Sequence, residues 1–294
     1  MKILATNVIR AARSDGSYRG SLIEVDLETK ECNDVLDWDD PSLEIDRSKP
    51  QYGDHGIHGV CVTDDHIWIS GHRFLFKLSK DYKVLGSYTH DKLAGTHNIC
   101  WDKDSNVLWV IANANNSILV FDLMLEQFCL ALEHGKGFVK PDDIDSKDSL
   151  HIDSVSVNGD FVWYSGSGTD TMFGVNKQNG ASLKYKPHFA KTHDIKWHSR
   201  YGLIYNLSLE SKTVMEFKDK VVVWDTPHLP YENVDSVSRP RYTRGMVTMD
   251  GAIVVGTSPA SVITNYMDGT QEVIQISKDI RHSICCMDVL CRSE

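Results

Sequence analysis

The sequence predicts an all-β fold, a six-bladed β-propeller closed by strands from both ends of the chain. Three observations predict it. Short apolar runs rich in β-branched and aromatic residues recur along all 294 residues, broken by Gly, Asn, Asp and Ser, and no segment keeps a helical period over three turns. The runs fall into groups of four, each group about 40 residues long, which is the size of a propeller blade. One motif also returns almost intact. Thr96-His97-Asn98-Ile99-Cys100-Trp101 reappears as Thr192-His193-Asp194-Ile195-Lys196-Trp197, and Trp109 and Tyr205 each follow twelve residues after the His. A shorter version puts Trp68 ten residues after His58, and Val254 ten after Arg244.

With the strands of each unit named a to d, the first unit is 59–62, 67–70, 74–78 and 84–88. The second is 98–101, 107–112, 117–123 and 128–132, and the third is 154–157, 161–165, 171–176 and 182–186. The fourth is 194–197, 203–207, 213–217 and 221–224, and the fifth is 245–248, 252–256, 262–266 and 272–276. An a strand at 283–289 and b, c and d strands at 2–7, 21–26 and 32–36 remain, and together they make the sixth unit. Sharing one blade between the two ends closes the ring and removes a free sheet edge. An open solenoid and a two-sheet sandwich are the alternatives, and the split sixth unit favours the ring. The whole span 1–294 reads as a single domain.

Hydrophobic residues make up 41% and charged residues 24%, the balance of a water-soluble globular protein. The formal net charge of −10 argues against a nucleic-acid partner, which needs clustered Lys and Arg. No apolar run approaches the 18 or so residues of a membrane span, and the first residues, Met1-Lys2-Ile3-Leu4-Ala5-Thr6-Asn7, turn polar too soon for a signal peptide. The seven cysteines form no CxxC pair, so they are expected to be reduced and mostly buried, in a cytoplasmic compartment.

The loops are unequal. The a-to-b and c-to-d turns are short, as at Asn158-Gly159-Asp160, where Gly159 is expected to supply a positive φ. The long connections are 37–57, 134–150 and 226–243, all d-to-a, and 8–20, which is b-to-c. In a propeller these two classes emerge on one face, at the channel mouth, and long loops on a rigid scaffold commonly carry function. Setting the six a strands in register puts His58, His97, Asp153, His193, Arg244 and His282 at one level. His151, two residues before Asp153, points to the same side of its strand, one step nearer the loops.

A lone His near the axis usually just bonds the neighbouring blade. Four on one ring, with a fifth above, favour convergence on a ligand. Neutral imidazole is a common ligand for transition metals, so His58, His97, His151, His193 and His282 are the candidate metal ligands. A divalent ion, iron(II) first and copper or zinc next, with positions open to the mouth, would make a catalytic site. Arg244 cannot ligate a metal, and its planar fork suits a carboxylate or phosphate of a substrate. Asp153 suits a ligand, a base or the orienting partner of a His. Asp153 and Arg244 are therefore the candidate catalytic residues.

The architecture resembles the six-bladed propellers of the NHL, gluconolactonase and strictosidine-synthase-like group. Gluconolactonases hold their axial cation with carboxylate and amide groups, where this chain has imidazoles, so that activity is not carried over. A His from each of several inner strands resembles the iron(II) site of carotenoid oxygenases, which are longer and have one more blade. That resemblance implies a metal-dependent enzyme, an oxygenase in the first instance, acting on a small or medium-sized anionic metabolite or peptide. The competing expectation is a non-catalytic propeller that binds a protein or ligand through its long loops.

Other signals are weaker. Ser165-Gly166-Ser167-Gly168 opens no helix, so it reads as a turn rather than a phosphate cradle. Pro141-Asp142-Asp143-Ile144-Asp145 reads as a solvated acidic loop. Trp68, Trp109 and Trp163 read as packing between blades, as do Cys61 and Cys100, three residues after ring histidines. His72 and the remaining histidines fall outside the ring, in turns or loops.

Overall fold

The computed structural model describes residues 1–10, 20–45, 55–147, 149–233 and 239–290. The remaining parts of the long loops expected at 8–20, 37–57, 134–150 and 226–243, and Cys291, lie outside them. Six antiparallel four-stranded sheets form the propeller, five of them from four consecutive strands, with two short additions. Blades 1 to 5 follow the chain, and blade 6 joins its ends. There His282–Val289 is the innermost strand and pairs antiparallel with Lys2–Ile9, followed outwards by Ser21–Asp26 and Cys32–Asp37. The additions were not expected from the sequence. Gly137–Val139 adds an outer fifth strand to blade 2, and His55–Gly56 pairs with Val8 and Ile9. The described helical segments are three-residue 3-10 turns, and no described helix is long and apolar enough to cross a membrane.

Strand alternation explains how the blades hold together. Successive side chains of a strand point to opposite faces of its sheet, so each blade presents an apolar layer to both neighbours. Val60 and Val62 pack towards blade 6 with Leu4 and Leu22, whereas Cys61 and Trp68 pack towards blade 2 with Leu108 and Phe121. Trp109 lies between blades 2 and 3, and Trp163 between blades 3 and 4, as the sequence led us to expect. The remaining apolar layers fill the spaces between blades 4 and 5 and between 5 and 6, which completes the ring. Burial of apolar surface supplies roughly 25 cal/mol per Å², so the stability of the ring is spread over six similar interfaces.

The plain face is built of tight hairpins. Asn158 pairs with Phe161, leaving Gly159 and Asp160 as a two-residue loop, and Gly159 has φ +56°. A positive φ at the first central position only is the type II′ geometry that suits the twist of two paired strands. The six described cysteines are all free thiols, and three of them, Cys61, Cys285 and Cys286, are buried. Cys129 is exposed, and Cys32 and Cys100 are half-buried, so burial is less general than expected.

Candidate functional site at the propeller axis

The innermost strands do not run straight past the ring level. Pairing with the b strand slips by one residue between Ile152 and Ser154, between His193 and Lys196, and between Arg244 and Met246. A slip of this kind is a β-bulge, which bends the strand and re-aims a side chain. The bulges coincide with three ring residues, Asp153, His193 and Arg244. The backbone pays for the turn with positive φ at Asp194 (+47°) and Gly245 (+65°), each immediately after a ring residue. Asp194 Oδ2 accepts from the Gly245 N–H at 3.0 Å and from Asn206 Nδ2 at 3.4 Å, tying blade 4 to blade 5 at the bulge. Burial raises the Asp194 pKa and Asp153 adds to this, while the His193 and Arg244 charges oppose it.

Two groups of side chains result. The first is a row of imidazoles in edge-to-face contact. Ring centres are 5.6 Å apart for His72 and His58, 5.7 Å for His58 and His97, and 5.4 Å for His97 and His151. Asn113 Nδ2 donates to His151 Nδ1 at 3.1 Å and fixes that ring. The His97 pKa lies well below the ordinary histidine value, first because the ring is desolvated, then because the Arg244 cation and neighbouring imidazoles disfavour its charge.

The second group is a buried acid–base set. His193 Nδ1 lies 2.8 Å from Asp153 Oδ2, with the two residues 2% and 5% exposed. A carboxylate only accepts, so His193 Nδ1 carries the proton and Nε2 presents its lone pair. Tyr242 Oη stands 3.5 Å from that Nε2. The Arg244 guanidinium, 7% exposed as a residue, lies 5.0 Å from the centre of the Tyr242 ring and bonds Cys285 Sγ at 3.6 Å. The Ser167 N–H donates to Asp153 Oδ2 at 3.3 Å.

The fold thus brings His58, His97 and His151 together in one group and Asp153, His193 and Arg244 in another, with Arg244 and His193 close enough to affect His97 electrostatically. His282 instead accepts from Asn7 Nδ2 at 3.1 Å within its own blade, and burial lowers its pKa. Among the described residues no group of three or more His, Cys, Asp or Glu side chains is disposed to hold a metal ion. The imidazoles lie side by side along a row, and His193 is committed to Asp153. The likeness to a carotenoid-oxygenase iron site gains no support from this arrangement.

Several members of the site escaped the sequence reading. Tyr242 stands two residues before Arg244, as His151 stands before Asp153, and the same two-residue step would have found it. His72 sits with φ +52° in the b-to-c turn of blade 1, a turn that opens on the loop-bearing face. The Ser165-Gly166-Ser167-Gly168 segment is more than a turn. A Cβ on Gly166 would lie 2.2 Å from the His151 carbonyl oxygen, and one on Gly168 would lie 2.7 Å from that of Leu150. The two glycines let the backbone that carries His151 pass close by, and Ser167 between them bonds Asp153.

The amino-acid sequence matches no known family profile and no curated protein. Solved structures share the fold. A catalytically inactive histidine-to-alanine form of virginiamycin B lyase from Staphylococcus aureus, bound to quinupristin, superposes with a TM-score of 0.52 at 13% identity, over 75% of this chain and 70% of that one. A streptogramin B lyase gives 0.51 at 13% identity, over 77% of this chain and 70% of that chain. The nidogen/laminin complex contains a chain that matches with a TM-score of 0.64 at 8% identity, over 96% of this chain and 97% of that one. At such identities the likeness is one of fold.

Proposed function

We propose that this propeller is a lyase-type acid–base enzyme acting on a small or medium-sized anionic metabolite or peptide. The observation that carries the reading is the buried Asp153–His193 pair, 2.8 Å apart, beside Tyr242 and Arg244. Arg244 binds the carboxylate of the substrate through its planar fork and stabilises negative charge that develops on the adjacent carbon. Asp153 holds the His193 tautomer whose Nε2 accepts a proton. His193 Nε2 removes that proton from the carbon next to the carboxylate. The electron pair left behind forms a carbon–carbon double bond as the leaving group departs with its own bonding pair, and Tyr242 Oη stands where it can protonate it. The lyases among the structural neighbours, one inactivated by loss of a histidine, support this class of chemistry. The free thiols and the acidic net charge fit a cytoplasmic enzyme without a nucleic-acid partner.

The test is direct. Protein incubated in D2O with a panel of hydroxy, amino and acyloxy carboxylic acids is followed by NMR for deuterium uptake next to the carboxylate and for olefin formation. Wild type is expected to catalyse one or both with some member of the panel. Asp153→Asn is expected to lose roughly 10⁴-fold, the drop seen when a catalytic His is left in the wrong tautomer, and His193→Gln at least as much, since removing a catalytic His can cost on the order of 10⁶. A His193→Gln variant as active as wild type would sink the reading. The extent of the nidogen match favours a second one, a propeller that binds a protein partner through its mouth loops. In that case the Asp153 and His193 variants would bind the partner normally and wild type would turn over nothing.

A further inference from the structure

We propose that a second small-molecule site lies away from the axis, between the outer strands of blades 2 and 3, and that it takes a flat aromatic carboxylic acid. A cavity of about 370 Å³ opens there, within the size range of small-molecule sites. Strand register sets its floor. Tyr164 lies opposite Phe173, and Phe173 lies opposite Lys184, so the three side chains share one face of blade 3 and form a row that ends at the sheet edge. Blade 2 supplies the facing wall through the turn that leads into strand Gly137–Val139. His134 comes from that turn. Its ring centre lies 4.7 Å from that of Phe173, edge to face, and its Nδ1 lies 3.0 Å from Tyr164 Oη. Tyr164 and Phe173 are stacked at 5.4 Å. Tyr164 is buried, but His134 and Phe173 are only half-buried, which leaves ring surface for a ligand.

The turn is held in place from below. Glu133 is fully buried, and its Oε1 accepts from the Ser146 N–H at 3.0 Å and from Lys136 Nζ at 3.2 Å. Lys136 also pairs with Asp145, so its charge is matched within the turn. Lys184 is exposed at the opposite rim, and among the described residues it forms no ion pair. Its charge reaches His134, whose pKa is lowered first by burial and then by Lys184. The cavity is therefore an aromatic corner with a neutral imidazole and one ammonium at its edge. A planar ring packs against such a corner by offset and edge-to-face contacts. A cation drawn to the aromatic faces would meet Lys184, whereas a carboxylate one or two bonds beyond the ring would pair with it. An exposed ion pair contributes only about 0–1 kcal/mol, so ring burial supplies most of the affinity and Lys184 the choice of charge.

Isothermal titration with indole-3-acetate, tryptamine, indole and acetate separates ring from charge. Wild type is expected to bind indole-3-acetate about tenfold more tightly than tryptamine, which has the same ring and the opposite charge, and to give no measurable heat with acetate. Lys184→Ala changes only an exposed side chain and is expected to bring indole-3-acetate and tryptamine within about threefold of each other. His134→Ala is expected to weaken indole-3-acetate and indole alike, by roughly three- to tenfold, as an aromatic contact is lost. Phe173→Leu keeps an apolar wall, guards against collapse of the cavity and is expected to act in the same direction. His193→Gln, which alters the axial site alone, is expected to bind indole-3-acetate as wild type does, whether or not the acid–base reading of the axis holds. Four results each overturn the proposal: no binding of indole-3-acetate, equal affinity for tryptamine, a Lys184→Ala variant that keeps the preference, and His134→Ala and Phe173→Leu variants that both bind as wild type. Loss of binding in His193→Gln would place the acid at the axis and overturn it as well.

Discussion

His97 shows how strongly one residue answers to its surroundings. Its imidazole is held neutral, chiefly by desolvation and then by Arg244. The consequence for stability has a definite sign. Above about pH 6.5, the unfolded value, both states carry a neutral ring and pH has no effect through it. Below that value the unfolded chain takes up a proton that the folded one refuses, so stability falls as the pH falls, by up to about 1.4 kcal/mol per pH unit per proton. His282, also depressed by burial, adds to the same slope. We expect urea unfolding midpoints of the wild type to drop between pH 6.5 and pH 5, and His97→Gln to show a shallower drop. An unchanged slope in the variant would mean that the ring titrates normally in the folded protein. The candidate site was legible in the sequence at this scale only as a set of positions. Asp153, His193 and Arg244 stood out by register. Their roles depend also on Tyr242, which the two-residue step before Arg244 marks, and on the Ser167 N–H, which approaches Asp153 from another segment and leaves no mark on the spacing of the ring residues.

The elements that matter most to the site are the bulged inner strands. A bulge is decided by how two strands pair, so a single strand's alternation does not reveal it. The nearest local sign is a residue suited to positive φ, and Gly245 is one. Gly245 and Gly159 make a controlled comparison. Both have positive φ, but a Cβ on Gly159 would meet nothing within 4 Å, whereas one on Gly245 would lie 3.1 Å from backbone atoms of Cys286. Gly159→Ala is expected to cost about 1–2 kcal/mol, the left-handed penalty alone. Gly245→Ala is expected to cost more, because the neighbouring inner strand has to move as well, and to impair ligand binding through Arg244. Urea titrations of the two variants check the order, and equal losses would show that the contact at the bulge yields freely. The short strands Gly137–Val139 and His55–Gly56 were hidden for a different reason. Two or three residues cannot establish an alternating pattern, and these strands exist only because an exposed strand lies alongside.

The whole ring was the most legible level, because counting units in fours left one strand at one end and three at the other. The described structure joins them through Lys2–Ile9 and His282–Val289. The seam is also bonded across blades. Thr6 Oγ1 accepts from the Cys286 N–H at 2.9 Å and donates to the His58 carbonyl at 3.1 Å, linking the closing strands to blade 1. Deleting residues 2–9 is expected to abolish the cooperative thermal transition, since it strips the inner strand of its partner and opens two of the six apolar layers. A truncated chain that melts as sharply as the intact one would show that five blades close by themselves. The seam has a further consequence during synthesis. Strand His282–Val289 is made after every other described strand, yet it lies between the first-made strand and the axis. At roughly 5–20 residues per second the ribosome holds the ring open for many seconds, with Lys2–Ile9 waiting for its partner. Translation thus acts as a clasp that shuts last, and a chain that stops before His282 has no closed ring and is exposed to the cell's proteases from one end of its gap to the other.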